Sequence, residues 1–238
     1  MQIPSFPESN HPIVKALFHY SDQELLTLYQ RHPEEGKYFT AIFCRYSQIV
    51  YTLIRHSAKS PVQADYLFAL IWRHIFYELK SLDLRKSAAA QSQTAEGEPV
   101  DDGHLTLQNW LINVTALCIN QAEMPPVESI RYSIEAAPPP FWSYLQQALD
   151  MLDPLQRAIV LMAQTFHWSE SRISAYLQAE GDNISPVEVG KQLPSAYDAL
   201  EAALPEDIRT IYLEEYPARS EDSGEMPELD RSLPMTNS

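Results

Sequence analysis

The chain has 238 residues, 45% of them hydrophobic and 21% charged, which is enough apolar material for one or two packed domains. Lys and Arg total 17 against 32 Asp and Glu, a formal charge of −15 that argues against binding DNA or an anionic membrane strongly by bulk charge. Six glycines argue against Gly-rich phosphate loops and many-turned β-folds, and two cysteines in apolar surroundings, Cys44 and Cys118, suggest buried, reduced thiols in a cytoplasmic protein rather than a disulfide scaffold.

The N-terminus lacks a basic region followed by an apolar run, so no secretory signal is expected, and residues 1–19 read as a loose arm. A helix should begin at Ser21, where Ser21 and Glu24 make a capping box ahead of Leu25, Leu26, Leu28 and Tyr29. A second runs from about Lys37 to Ala58, with Phe39, Ile42, Phe43, Tyr46, Ile49, Val50, Leu53 and Ile54 at steps of three and four. Ser60 and Pro61 start a third that reaches about Leu82. It is apolar nearly all round, yet Arg73, His74, Glu78 and Lys80 interrupt it, so it is not a membrane span. Either it is a central helix wrapped by its own domain, or one flank docks on a partner with Trp72 as anchor.

Residues 86–103 are small, polar and acidic and read as a disordered insert, followed by a fourth helix over 105–122. Two proline clusters mark 123–140 as an extended linker and domain boundary. The second domain, 141–216, should hold helices at 141–151, from Asp153-Pro154 onward, at 169–178 and from Ser185-Pro186 to about 204. An acidic, proline-dotted tail, 217–238, reads as disordered. No period-two strand run is present, so the expected fold is all-α, with two small helical domains joined by a Pro-rich linker. Three helices with a short middle one fit a helix-turn-helix, although any small helical bundle gives that spacing.

Charge is unevenly spread. Residues 20–86 carry 9 basic and 7 acidic side chains, whereas 141–204 carry 3 and 8. The seven histidines form no HExxH or other compact ligand cluster, and His74 with Glu78, four apart on one helix, is half a metal site at most. No GxSxG or GxxxxGK[ST] motif exists, and no constellation suited to catalysis is readable, so neither an enzyme nor a cofactor is expected.

Taken in order, the segments resemble a group IV (extracytoplasmic-function type) sigma factor of the sigma-70 superfamily. SDQELL followed by YFTAIFCRYSQIVYTLIRHS is similar to the opening helices of the sigma core domain, and ADYLFALIWRHIFYEL resembles the helix that grips the RNA polymerase clamp. LQNWLINVTALCINQA, with Trp110-Leu111, resembles the helix that reads and melts the minus-ten element. LDPLQRAIVLMAQTFHWSESRISAYL and SPVEVGKQLPSAYDALEAAL resemble the sigma helix-turn-helix and its minus-thirty-five recognition helix. The resemblance implies core RNA polymerase, promoter DNA and an anti-sigma protein as partners, with no membrane. It implies polymerase contacts from Asp65, Leu67, Phe68, Ile71, Trp72 and Ile75, and DNA contacts from Trp110, Asn113, Asn120, Arg172, Ser185, Lys191, Gln192 and Ser195.

The sequence departs from that family in specific places. Phe68 and Ala69 replace a Gln and an acidic residue on the clamp helix, and Ala116 and Leu117 replace an Arg and an Asn on the minus-ten helix. Lys191 is the one basic residue of the recognition helix, and Pro194 within it should kink or break it, at about 3 kcal/mol. Three functions are therefore weighed: a working sigma factor, a sigma-like adaptor that binds a protein without reading promoters, and an unrelated helical enzyme or scaffold.

Overall fold

The structure is a computed structural model that describes residues 4–84 and 106–214; the expected insert (86–103) and tail (217–238) lie outside the described residues. Among the described residues the fold is all-α, without strands. The helices are α1 (Pro12–Lys15), α2 (Asp22–Arg31), α3 (Gly36–Arg55), α4 (Pro61–Glu78), α5 (Leu107–Gln121), α6 (Pro139–Met151), α7 (Pro154–Thr165), α8 (Glu170–Glu180), α9 (Pro186–Ala203) and α10 (Glu206–Tyr212). No helix among them is long and apolar enough to cross a membrane. The chain divides into two compact units, 1–130 and 131–238, and the division falls within the Pro-rich stretch.

In the first unit α3 is the hub, packed by α1, α2, α4 and α5. Its start and that of α4 follow from local chemistry. Ser60 caps α4 by accepting from Gln63 N–H (3.2 Å), with Pro61 in the first turn, and the Ser21–Glu24 capping box opens α2. The core is aromatic. Trp72 packs edge-on against Phe39 (6.0 Å), Phe43 (4.9 Å) and Phe68 (6.2 Å), and the Tyr29 hydroxyl donates to the Phe76 carbonyl at 2.6 Å, tying α2 to α4. Burial first, and the neighbouring Tyr77 second, lift the Tyr29 phenol far above its ordinary range. The near-continuous apolar surface of α4 is explained by this enclosure, since Ala64, Leu67, Phe68, Ala69, Ile71, Trp72, Ile75 and Phe76 are all buried.

Two stretches differ from the sequence expectation. Residues 4–19 are packed rather than loose: Phe6, Val14 and Leu17 are buried against the first unit, the Phe6 ring against Phe43 of α3 and Phe68 of α4. The stretch 123–140 is not extended throughout either. Tyr132, Ile134 and Ala137 are buried in the second unit, the Tyr132 ring lies 5.5 Å from that of Trp142, its hydroxyl donates to the Ala137 carbonyl (2.6 Å), and α6 already begins at Pro139.

The second unit stacks α7, α8 and α9 around Ile159, Met162, Ile173, Leu177, Ile184 and Val189. Gly181 ends α8 in the left-handed conformation (φ 108°), and the Asp182 N–H closes back on the Leu177 carbonyl at 2.9 Å. Ser174 and Gln178 both donate to the Ile184 carbonyl (2.8 Å each), which fixes the turn into α9. Contrary to expectation, α9 is not broken at Pro194. Val189 on one side and Ala196 on the other are fully buried, so tertiary packing holds both halves, and Pro194 sits on the exposed face. Helix α10 was not foreseen; the signal was Pro205 followed by Glu206 and Asp207.

Two stability predictions follow from the packing. Trp72→Ala removes the centre of the aromatic core and should cost about 3–5 kcal/mol in urea denaturation monitored by near-UV circular dichroism. Gly181→Val forces a β-branched residue into positive φ and should cost about 1–2 kcal/mol or more, measurable as loss of α7–α9 protection in hydrogen exchange. Wild-type values in both assays would contradict the packing described.

Candidate protein and nucleic-acid interface

Five of the six residues expected to grip polymerase do not face outward. Leu67, Phe68, Ile71, Trp72 and Ile75 are buried in the first unit's core, so the expectation that they form a contact surface is corrected: the three helices around α4, with the N-terminal segment, use that apolar area themselves. The remaining residue, Asp65, is half-buried and accepts a hydrogen bond from the Tyr51 hydroxyl at 2.8 Å. Burial, and then that bond, push the Tyr51 phenol up.

What α4 does present is a different stripe. Val62, Tyr66, Leu70, Arg73, His74, Tyr77 and Glu78 recur at helical spacing and are exposed or half-buried, with Tyr77 45% exposed. Just beyond the helix, the Lys80 ammonium lies 4.4 Å from the Phe76 ring centre and 5.2 Å from that of Tyr77, and burial lowers its pKa. This stripe combines aromatic, aliphatic and cationic chemistry, the mixture that contact patches favour. The sequence signal was present in the charged interruptions of α4.

Helix α5 divides cleanly. Leu107, Trp110, Leu111 and Thr115 are buried, which corrects the expectation for Trp110: its ring is a core element and is not free to stack on a base. Asn113 and Asn120 are exposed, as are Asn109 and Gln121, giving a face of neutral amides with Leu117 58% exposed among them. Amide side chains offer paired donors and acceptors of the kind that read base edges, without any phosphate-binding charge. Asn109 and Gln121 belong to this face and were missed by the sequence reading.

In the second unit the expected DNA-contacting residues are placed as follows. Arg172 is exposed, with its guanidinium 4.4 Å from the Trp168 ring centre. Phe166 and Tyr176 flank Trp168 at 5.3 and 5.6 Å, around His167 at φ 50°. Ser185 is committed to capping: its N–H and hydroxyl both donate to Glu188 at 2.7 Å, and its oxygen accepts the Glu188 N–H at 3.3 Å. That occupancy corrects Ser185 as a base contact. Gln192 is half-buried and accepts from Gln156 at 3.4 Å. Lys191 and Ser195 are exposed on the same face of α9 as Val187, Glu188, Pro194 and Asp198.

The electrostatics of that face are acidic. Residues 131–214 contain five basic residues, Arg131, Arg157, Arg172, Lys191 and Arg209, against twelve acidic ones. Arg157 is already paired with Asp150 at 3.1 Å. A duplex reader typically neutralises about six to ten phosphates, which this unit cannot do alone. The Glu188 carboxylate is held below its ordinary range by the Ser185 hydroxyl first and the Ser185 N–H second, so it stays charged beside Lys191.

One cluster was not anticipated. In the turn before α3, His32 Nδ1 lies 3.5 Å from Glu34 and 4.0 Å from Glu35, the three residues' ligand atoms falling within 4.8 Å of one another, and Lys37 pairs with Glu35. His74 and Glu78 are both exposed on α4. No family model matches the chain, and no curated protein or solved structure matches it.

The Glu188 pKa sets a pH dependence. Because the folded value is depressed, its contribution is present above the unfolded pKa of ~4.3 and is lost as pH falls through the lower, folded value. Acid thermal melts should therefore show Glu188→Gln with a flatter decline than wild type across the window between those two values. Identical acid limbs would show that the capping box does not form in solution.

Proposed function

We propose that the chain is a sigma-70-like transcription initiation protein: the first unit binds core RNA polymerase, and the second takes part in promoter choice within that complex. The observation that carries the reading is the order of packed segments along the chain. A helical unit in which α4 shows an aromatic and cationic stripe and α5 an amide face precedes a three-helix array turned at Gly181. Polymerase contact is assigned to the exposed Val62 and Tyr77 and the half-buried Tyr66 and Arg73, on the side of α4 opposite the residues first expected. Promoter contact is assigned to Asn113 and Asn120 on α5 and to Arg172, Lys191 and Ser195 on the second unit. Backbone phosphate contact would come largely from polymerase, since the second unit lacks the cations to supply it.

A second reading is favoured by one observation. Glu188 and Asp198 share the exposed face of α9 with Lys191, and an acidic reader surface suits a protein-binding adaptor better than a promoter-binding one.

Run-off transcription with purified core enzyme on promoter libraries separates the two. A sigma factor should give promoter-dependent transcripts, and Lys191→Ala should cut their yield several-fold, consistent with loss of about 1 kcal/mol or more of contact energy. Core binding should be unchanged in that variant. Binding without transcripts supports the adaptor. Tyr66→Ala combined with Arg73→Ala should weaken core pull-down by about tenfold with helicity intact, whereas unchanged pull-down contradicts the polymerase assignment.

A further inference from the structure

The turn between α2 and α3 gathers three metal-ligating side chains within four residues. The His32 N–H ends α2 on the Leu28 carbonyl (2.9 Å), and the Glu35 N–H closes the turn on the His32 carbonyl (3.0 Å), with Pro33 in its second position. Pro33 fixes the backbone there, which limits how far the flanking side chains can swing apart. His32 Nδ1 lies 3.5 Å from a Glu34 oxygen and 4.0 Å from a Glu35 oxygen, and the three ligand atoms all fall within 4.8 Å of one another. A tetrahedral ion with bonds of about 2.0–2.1 Å spaces its ligand atoms about 3.3 Å apart, so side-chain rotation alone closes the set around one. Glu35 is also oriented from behind. Lys37 pairs with its Oε2, and the Tyr38 hydroxyl hydrogen-bonds the same carboxylate, which leaves Oε1 on the His32 side. The Tyr38 ring backs both the His32 ring (6.4 Å) and the Lys37 ammonium (5.0 Å). Outer partners of this kind are what fix ligating carboxylates and imidazoles in place.

We propose that His32, Glu34 and Glu35 form a divalent-metal site of the zinc class at the α2–α3 turn, with the remaining coordination position left to solvent. Two neighbouring carboxylates turned onto one nitrogen repel each other, and Lys37 offsets one of the two charges; a dication among the three ligand atoms meets both. The imidazole nitrogen sets the class of ion. Nitrogen with oxygen suits zinc and its transition-metal neighbours, whereas magnesium and calcium take all-oxygen shells. An ion held here ties the end of α2 to the start of α3, the helix on which the rest of the first unit packs. The site is independent of the polymerase reading, and it stands or falls without it.

Metal titration of the full chain, first freed of metal with a chelator, tests the site. Calorimetry should show a single equivalent of Zn²⁺ bound, and Co²⁺ in its place should develop the visible absorption of a four-coordinate ion. His32→Ala and, separately, Glu34→Gln should each weaken Zn²⁺ binding by about tenfold or more. His56→Ala, which removes an exposed histidine at the other end of α3, should bind as wild type does. Mg²⁺ in large excess should not displace the bound ion. Circular dichroism checks that each variant keeps its helicity; if His32→Ala loses it, Glu34→Gln decides, because that side chain is exposed. No Zn²⁺ uptake by the wild-type chain overturns the site and leaves an ion-paired turn in which His32 carries a proton. Uptake unchanged in both Glu34→Gln and a folded His32→Ala overturns it equally, since the ion then sits elsewhere. Displacement by Mg²⁺ overturns the zinc-class assignment.

Discussion

The first unit depends on burying one aromatic ladder between α3 and α4. Phe39, Phe43, Phe68, Trp72 and Phe76 meet ring to ring, and Tyr29 closes the ladder with a hydrogen bond to the backbone of α4. Rings of this size supply most of the apolar area a small helical unit can bury. Their geometry also fixes which side of α4 faces out. Because Trp72 and Phe68 point inward, Tyr66, Arg73 and Tyr77 point away from the core, and any contact made by α4 without rearrangement must use them. The same constraint turns Trp110 inward on α5 and leaves its amides outside.

The second unit obeys a different economy of charge. Its helices are held by a modest aliphatic core and by local devices: the left-handed Gly181, the two side chains on the Ile184 carbonyl, and the Ser185–Glu188 capping box. The capping box takes one candidate reader group, Ser185, out of play and leaves the Glu188 negative charge at the first turn of α9. A cation there is what an unaided DNA reader needs, so the helix that looks most like a reader is the one whose electrostatics most require help from a larger assembly.

Much of this was legible in the sequence. Ser-Pro and Asp-Pro starts, capping boxes and three–four spacing located α2 to α9 to within a few residues, because those signals act locally. The direction in which each side chain faces was legible for α4 only through its charged interruptions, Arg73, His74 and Glu78, since its apolar residues lie on every side and carry no phase. The seating of Phe6 was not legible, since it depends on a slot formed by residues 37 and 62 positions further along the chain. Pro194 misled for a related reason: a local cost of about 3 kcal/mol is overridden when buried neighbours on both sides hold the helix. The expected insert and tail lie outside the described residues, so their charge enters only through the composition of the chain.

The most direct test of sigma-like docking is photo-crosslinking of the full chain to core RNA polymerase, with the reactive side chain placed at position 66, at position 73 or, as a control, at the exposed position 151 of the second unit. Covalent adducts with the large polymerase subunits from positions 66 and 73, and none from 151, are the expected outcome. Adducts from none of the three, or from 151 alone, would contradict the assignment of the first unit as the polymerase-binding element.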